Sequence, residues 1–346
     1  MSERVLTQRE LNRALLARQL LLERVDEPIP LVLEAICGIQ NQYAPNAYIR
    51  LWSCIRGFER DDLTRAYERA AVVQGTLLRG TIHTVSAADY RLFAAAIRRP
   101  LQVWARRAYR ADDPDRETLV APVRDALRGR TVGRPELMDL RQGVSPSAWG
   151  TIDTDVELLR VPPSGTWERR RAHTFGLASD VLGESEPPDP EAAVEHIISR
   201  YLGGFGPASL NDIAAFTGIP VTDLKPALTR TTLRHFVDER GKELLDVEGA
   251  PLPPADTPAP VRFLPTWDAM LLVHARRTGI LDEAYRKIIF STKVPPSFPT
   301  FLVDGRVVGT WKYDNGRVVL DAFEPLDKST RHELDDEAER LAAFHA

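Results

Sequence analysis

Cysteine is scarce in this sequence, which has only Cys37 and Cys54 among its 346 residues. So few cysteines exclude a scaffold built from disulfides, and neither a CxxC pair nor a Cys/His ligand spacing is present to hold a metal. We therefore expect two reduced thiols in the core and a protein that binds no metal.

Long hydrophobic runs are also missing, since no apolar stretch approaches the roughly 18 residues that a membrane-spanning helix requires. The first ten residues, Met1–Glu10, are polar and do not resemble a signal peptide. A hydrophobic content of 43% and a charged content of 27% are typical of globular proteins. We expect a cytoplasmic protein that does not contact a membrane.

An excess of positive charge is absent, because 45 basic and 49 acidic side chains give a net charge of -4. Such a balance argues against nucleic-acid binding, which normally needs a basic surface. The charge is nevertheless segregated along the chain, with eight acids against three bases in residues 321–340. Residues 91–110 carry no acid and six arginines, namely Arg91, Arg98, Arg99, Arg106, Arg107 and Arg110. The global charge therefore conceals a basic helix and an acidic C-terminal segment.

The common catalytic signatures are absent as well. The pair His332-Glu333 is followed by Asp336 where an HExxH zinc motif requires a second histidine, and there is no P-loop, GxSxG or kinase motif. The glycines of 203–206 follow a predicted helix rather than a strand, so they do not form a dinucleotide-binding fingerprint. These absences argue against several large enzyme classes.

Two proline-rich segments, 184–190 and 250–260, divide the chain into three predicted domains. We expect these domains at residues 1–186, 187–250 and 251–346. Helical patterns dominate the first two domains, so the predicted fold class is mainly α with small β elements (α+β).

The second domain has the clearest fold pattern, which is the helix, helix, turn, helix and two-strand order of a winged helix-turn-helix unit. The predicted helices are 192–201, 209–216 and 222–232, and the predicted strands are 236–239 and 243–247. In such a unit the helix after the turn is presented to DNA and the wing lies along the backbone.

A weaker copy of the same unit is predicted over 117–171, with helices at 131–141 and 147–160 and a wing at 160–171. In the third domain, Asp304-Gly305 and Asn315-Gly316 are favoured two-residue hairpin turns. They predict a small β-sheet or β-barrel, which a terminal acidic helix closes.

The most distinctive polar segment is Gln40-Asn41-Gln42, at the end of the predicted second helix. In extended backbone, side chains at positions i and i+2 point in the same direction, so Gln40 and Gln42 can hold one water molecule between them. Amide residues are also common in loops and at helix ends, where they cap backbone groups. The residues alone leave both interpretations open.

Five segments, taken in order along the chain, resemble the winged-helix DNA glycosylases of the AlkZ and YcaQ type. They are GIQNQYAPNAYIRLWSCIRGF, TLLRGTIHTVSAADY, RVPPSGTW, RFLPTWDAMLLVHARRTGIL and FLVDGRVVGTWK. The resemblance implies tandem winged-helix units with a small C-terminal β-barrel, and monofunctional excision of alkylated purines, including N7-linked crosslinks, without a metal or cofactor. Gln40 and Gln42 fall on the family's catalytic Q-Φ-Q motif, with Asn41 at the position that is apolar in the family.

The implied reaction needs no general acid, because an N7-alkylated purine already carries a positive charge and leaves as a neutral base. What remains is to place a water against C1′ of the sugar, and positioning of this kind lowers a barrier substantially. A glutamine amide offers both an acceptor and donors for such a water. We therefore expect Gln40 and Gln42 to orient it.

Basic residues in four places are the expected DNA contacts, although an arginine-rich helical face is also typical of a solvated surface. They lie in the hairpin beside the motif, the basic helix, the first wing and the second winged-helix unit: Arg79, His83, Arg99, Arg106, Arg107, Arg169, Arg170, Arg171, Lys225 and Arg230. Because Lys225 and Arg230 are the only cations of the candidate recognition helix, shape or backbone binding is favoured over base reading.

Two other functions stay open from the sequence. A non-catalytic winged-helix protein such as a transcriptional regulator has the same fold pattern, and so does a scaffold whose wings bind protein. For the glycosylase, the expected partner is alkylated or crosslinked double-stranded DNA, bound by a nucleoid-associated monomer whose acidic C-terminal helix is turned away from the duplex.

Overall fold

A computed structural model of the chain describes residues 4–109, 116–140, 155–291 and 297–346. For residues 105–109 and 116–119 it describes the backbone and not the side chains. Within these ranges the fold mixes helices with three β-sheets. The β structure is more extensive than the predicted small elements, because strands distant in sequence combine into one six-stranded sheet.

The chain begins with strand β1 Arg4–Leu6 and helix α1 Gln8–Arg18. A capping box starts α1, since the Thr7 side chain accepts from Glu10 N while the Glu10 side chain accepts from Thr7 N. Three further helices follow, namely α2 Ile29–Ala35, α3 Pro45–Cys54 and α4 Arg60–Glu68.

The six-stranded sheet has the strand order β2-β4-β3-β6-β7-β5. Its strands are β2 Ile39–Gln40, β3 Val72–Thr76, β4 Ile82–Ser86, β5 Val132–Gly133, β6 Leu158–Arg160 and β7 Thr174–Leu177. The hairpin expected beside the motif is present and consists of β3 and β4. Glycine at position 75 lets a helix lie close to this hairpin, because a Cβ there would be 2.7 Å from the ring of Tyr90.

The basic helix is α5 Ala87–Tyr109, and Ser86 caps its start, since Asp89 N donates to Ser86 Oγ at 3.1 Å. Helices α6 Arg116–Leu127 and α7 Arg134–Leu140 follow. The predicted helix over 147–160 begins outside the described residues, and its described end is wrong, because β6 pairs there with β3 and β7. Of the predicted wing over 160–171, only Arg160 belongs to a strand, the end of β6, since Pro162 and Pro163 have no N–H to donate to a sheet.

The helices and strands predicted in the second domain are present in the predicted order. They are α9 Pro190–Phe205, α10 Leu210–Thr217, α11 Val221–Leu228, β8 Leu233–Asp238 and β9 Glu243–Val247, after a short helix α8 Ala178–Leu182. Strand β1 adds to them, pairing in parallel with β8 to give the sheet β1-β8-β9. The N-terminal strand therefore completes a sheet whose other strands lie more than two hundred residues further along the chain.

The C-terminal part contains an antiparallel sheet of β10 Arg262–Leu264, β11 Thr300–Val303, β12 Arg306–Asp314 and β13 Arg317–Ala322. Both predicted hairpin turns are confirmed, with φ of 48° and 75° at Asp304-Gly305 and of 48° and 81° at Asn315-Gly316. Of the predicted sheet or barrel, the sheet is confirmed and the barrel is wrong for the described residues, because β10 and β13 form the two free edges of an open sheet. Helices α12 Glu283–Ile289 and α13 Lys328–His345 complete this part.

One large hydrophobic cluster extends through all three predicted domains, from Leu15 of α1 to Leu341 of α13. The ring of Phe344 near the end of α13 packs against Trp52 and Phe58, with centroids 6.0 and 5.9 Å away. A separate small cluster lies around α6, α7 and β7. In the described ranges, no helix combines the length and the apolar character needed to span a bilayer.

Candidate active site

The glutamine motif lies at the edge of the six-stranded sheet. Strand β2 pairs antiparallel with β4, so that Gln40 is opposite His83. Beyond the strand, Asn41 N donates to the carbonyl oxygen of Ile82 at 2.7 Å. The backbone is extended through Gln40, where β2 ends, and the alternation of side chains from Gln40 to Gln42 stays a prediction.

Gln40 is held in place by Arg79. Only 8% of Gln40 is exposed, and its Oε1 accepts a hydrogen bond from Arg79 Nη2 at 2.9 Å. Arg79 also donates through Nη1 to the carbonyl oxygen of Phe216 and lies 5.2 Å from the centre of the Phe216 ring. Burial lowers the pKa of Arg79 to about 10, so the guanidinium is charged at neutral pH. Arg79 therefore ties the motif to helix α10.

Gln42, in contrast, is exposed. Its Oε1 accepts a hydrogen bond from the backbone N–H of Ile82 at 3.0 Å. Both glutamines are thus fixed through their carbonyl oxygens, and in the described part of the chain neither Nε2 donates a hydrogen bond. Each amide keeps its two N–H donors and one oxygen lone pair for another partner.

Asn41 is buried and occupies a polar pocket. Its Nδ2 donates to Thr84 Oγ1 at 3.1 Å, and the hydroxyl of Tyr67 is 2.7 Å from the same Thr84 oxygen. Asn41 Oδ1 has no hydrogen-bond partner among the residues that the structure describes. A polar residue suits the middle position of this motif because the pocket that receives it contains hydroxyl groups.

His83 lies beside the motif but is buried. Its Nδ1 is 3.0 Å from the carbonyl oxygen of Thr81. Burial and then the charge of Arg79 lower the pKa of His83 to about 3, so its ring is neutral near pH 7. The predicted DNA contact would therefore be made without a positive charge.

The arginines of helix α5 differ in their surroundings. Arg91 donates to the carbonyl oxygens of Leu182 and Gly183, and Arg98 pairs with Glu157. Arg99 is exposed and makes no ion pair within the described ranges. Arg106 and Arg107 belong to the helix, but their side chains lie outside the described residues. Part of the basic charge counted in the sequence is therefore used inside the protein.

The segment Arg169–Arg171 is brought close to the motif. All three arginines are exposed. Arg170 lies over the ring of Trp167 at 4.5 Å, and its Nη1 donates to the hydroxyl of Tyr43 at 3.4 Å. Tyr43 directly follows Gln42 and is 49% exposed. This contact could not be predicted from the sequence, because no local pattern relates residues that are 127 positions apart.

The two cations of the second unit also differ. Lys225 is exposed on α11 and has no ion-pair partner in the part of the chain described. Arg230 lies beyond the end of α11, and it pairs with Glu191 at 3.3 Å and with Glu195. The charge of Arg230 is therefore partly compensated by acidic residues of α9.

The described residues contain no group of three His, Cys, Asp or Glu side chains arranged to hold a metal ion. Cys37 and Cys54 are buried free thiols, as predicted. Burial raises the pKa of both thiols, so they are protonated at neutral pH. Neither cysteine has the character of a nucleophile.

Comparison with known proteins decides the family. A family model described as "DNA glycosylase AlkZ-like" matches residues 33–344. The chain belongs to the AlkZ-like DNA glycosylase family. As a member of this family it is a DNA glycosylase, an enzyme that hydrolyses N-glycosidic bonds, and this supports the first of the three functions that the sequence left open.

A curated relative and a solved structure, both from Streptomyces sahachiroi, are similar to this chain. An interstrand DNA cross-link repair glycosylase is 23% identical to this chain over 94% of the chain and 93% of the relative. The solved structure of the DNA glycosylase AlkZ has a TM-score of 0.82 and 18% identity, over 99% of this chain and 97% of that one. The AlkZ-like fold therefore extends over nearly the whole chain.

Proposed function

We propose that this glycosylase excises N7-alkylated guanine from double-stranded DNA, including guanine in an interstrand crosslink, with a water oriented by Gln40 and Gln42. The observation that carries the proposal is the position of the two amides at one sheet edge. Arg79 holds one of them and the backbone of Ile82 holds the other. The description of the Streptomyces relative as a cross-link repair enzyme supports the crosslinked substrate.

The chemistry suits amides rather than acids. The alkylated base leaves as a neutral molecule, so the enzyme has to direct a water at C1′ while positive charge develops on the sugar. A lone pair on a glutamine oxygen accepts from this water, and the partial negative charge of the same oxygen is favourable beside an oxocarbenium-like sugar. Arg79, with its pKa at about 10, is a poor acid and serves to fix Gln40.

For DNA binding we propose arginines of α5 and of the segment 169–171, together with Lys225 of the second unit. In this assignment α9 to α11 with β8 and β9 form a winged-helix unit, and the six-stranded sheet carries the catalytic edge. The proposed phosphate contacts are Arg99, Arg106, Arg107, Arg169, Arg170, Arg171 and Lys225. Arg79, His83 and Arg230 have partners within the protein. We therefore propose that these three residues position neighbouring protein groups and do not contact phosphates.

Single-turnover release of N7-methylguanine from a duplex tests the role of the glutamines. Gln40→Ala and Gln42→Ala each lose an orienting group, and we expect the rate to fall roughly 100-fold, as misplacement of reacting groups does. Gln8→Ala is the matched control, because Gln8 is an exposed glutamine at the start of α1. Release at the wild-type rate by both motif variants would contradict the assignment. Crosslink unhooking is measured with the same variants on a crosslinked duplex.

A further inference from the structure

Tyr43 is a half-exposed aromatic residue beside the motif, and both of its ends are fixed. Its carbonyl oxygen accepts from Asn46 N at 2.9 Å, which ties it to the first turn of α3. Its hydroxyl accepts a hydrogen bond from Arg170 Nη1 at 3.4 Å. With 49% of the residue exposed, the ring is held in one place while it offers an apolar face to a ligand.

Arg170 is itself anchored by a buried tryptophan. Its guanidinium lies 4.5 Å from the centre of the Trp167 ring, and its Nε donates to the Trp167 carbonyl oxygen at 3.0 Å. Arg60 lies near the same ring at 5.3 Å. Arg170 remains exposed and forms no ion pair with an acid in the described ranges. An exposed aromatic ring therefore has an uncompensated cation at its hydroxyl end.

An aromatic face next to an exposed guanidinium that has no acidic partner among the described residues matches the chemistry of a nucleotide. A base stacks on the ring whatever its identity, and the cation contacts the phosphate of the same strand. A small apolar ligand would make no use of the guanidinium, and an isolated anion would make no use of the ring. Since Tyr43 is the next residue after Gln42, the bound nucleotide lies beside the proposed site of hydrolysis.

We propose that Tyr43 stacks on a DNA base neighbouring the reacting nucleotide while Arg170 binds the adjacent phosphate. This assignment rests on the proposed function in placing the reacting sugar at Gln40 and Gln42. Stacking fixes the strand laterally, and the phosphate contact fixes it along its length. Together they bring C1′ of the damaged nucleotide to the two amides. Tyr43 and Arg170 are thus positioning residues for the lesion.

A duplex that cannot be excised tests this proposal separately from catalysis. The duplex carries a tetrahydrofuran abasic analogue flanked by 2-aminopurine, whose fluorescence reports stacking. We expect Tyr43→Leu to weaken binding roughly 5- to 100-fold, the range for loss of one stacked base, and to change the 2-aminopurine signal. Tyr43→Phe keeps the stacking ring, so we expect it to keep the wild-type affinity and the wild-type 2-aminopurine signal. Arg170→Ala lowers the slope of log Kd against log salt by about 0.9, the value for one phosphate contact.

The control is Tyr285→Leu, because the Tyr285 hydroxyl also contacts a charged side chain, Glu324, but on the surface of α12. Binding and fluorescence of Tyr43→Leu at wild-type values would overturn the proposal. Equal losses in Tyr43→Leu and Tyr285→Leu would overturn it too, because they would reflect general destabilisation. A failure of the glutamine variants to slow excision would instead count against the proposed function and leave this binding result intact.

Discussion

At the scale of residues, the groups around the motif obtain their partners from distant parts of the chain. Arg79, expected as a DNA contact, uses its two terminal nitrogens on Gln40 and on the carbonyl oxygen of Phe216. Asn41 makes its contact with Thr84 on the neighbouring strand. These side chains belong to the framework that holds the glutamines.

Substitution of Arg79 distinguishes a role in positioning Gln40 from a role in DNA binding. We expect Arg79→Lys to slow single-turnover excision as strongly as Arg79→Ala, because a single ammonium group cannot reproduce a fork that reaches two acceptors. DNA affinity changes little in either variant, since the guanidinium is turned inward. The rate constant and the Kd are measured on the same duplex. A normal rate with weakened binding would indicate that Arg79 contacts DNA directly.

At the scale of elements, buried polar contacts decide how helices and sheets meet. Arg18 at the end of α1 and Asp246 of β9 form an ion pair at 2.5 Å with both side chains fully buried. Arg18 also donates to the carbonyl oxygens of Leu202 and Pro251. This cluster joins the first helix to the sheet of the second unit.

Removal of Asp246 leaves the Arg18 guanidinium buried without its counter-charge. We expect Asp246→Ala to lower the free energy of unfolding by about 3–5 kcal/mol, the usual result of breaking a buried pair. The comparison variant is Asp26→Ala, which removes the exposed partner of Arg56 and costs less than about 1 kcal/mol. Urea unfolding measures both. Similar small losses in the two variants would contradict the importance of this contact.

At the scale of the whole molecule, charge and burial are distributed differently from what the composition suggests. Helix α13 is acidic, yet Glu337 is buried and pairs with Arg24 and Arg340. The end of the same helix packs its His345 ring 5.0 Å from Trp167, close to Arg170. The net charge of -4 therefore describes neither the core nor the surface near the motif. That α13 is turned away from the duplex stays a prediction.

Stability of the whole molecule should fall in mild acid. Burial lowers the pKa of His83 to about 3 and that of His274 well below its ordinary value. The unfolded chain takes up protons on both rings as pH falls through about 6.5, while the folded protein does not. We expect each histidine to lower the free energy of unfolding by about 1.4 kcal/mol between pH 7.5 and 5.5.

Urea unfolding at the two pH values measures this loss. Replacing His83 with Gln removes its share of the pH dependence. A pH dependence that survives unchanged in the His83→Gln variant would contradict the assignment.

Local features of the fold follow from the sequence alone. Residues within a few positions of one another account for the cap of α1, the cap of α5 and both two-residue turns of the C-terminal sheet. They also account for the order of elements in the second unit. The ordered segments also indicated the glycosylase family. Short-range geometry and backbone preferences are sufficient for such features, because they do not depend on distant partners.

Contacts between distant parts of the chain depend on the tertiary structure. Residues 158–160 look helical by periodicity but form a strand, because β3 and β7 supply the hydrogen bonds of a ladder. The C-terminal sheet stays open because of how its strands approach one another. The contact of Arg170 with Tyr43 likewise depends on how distant elements approach one another. Pairing across long stretches is set by burial and by the satisfaction of backbone groups in the folded chain, and no window of sequence contains that information.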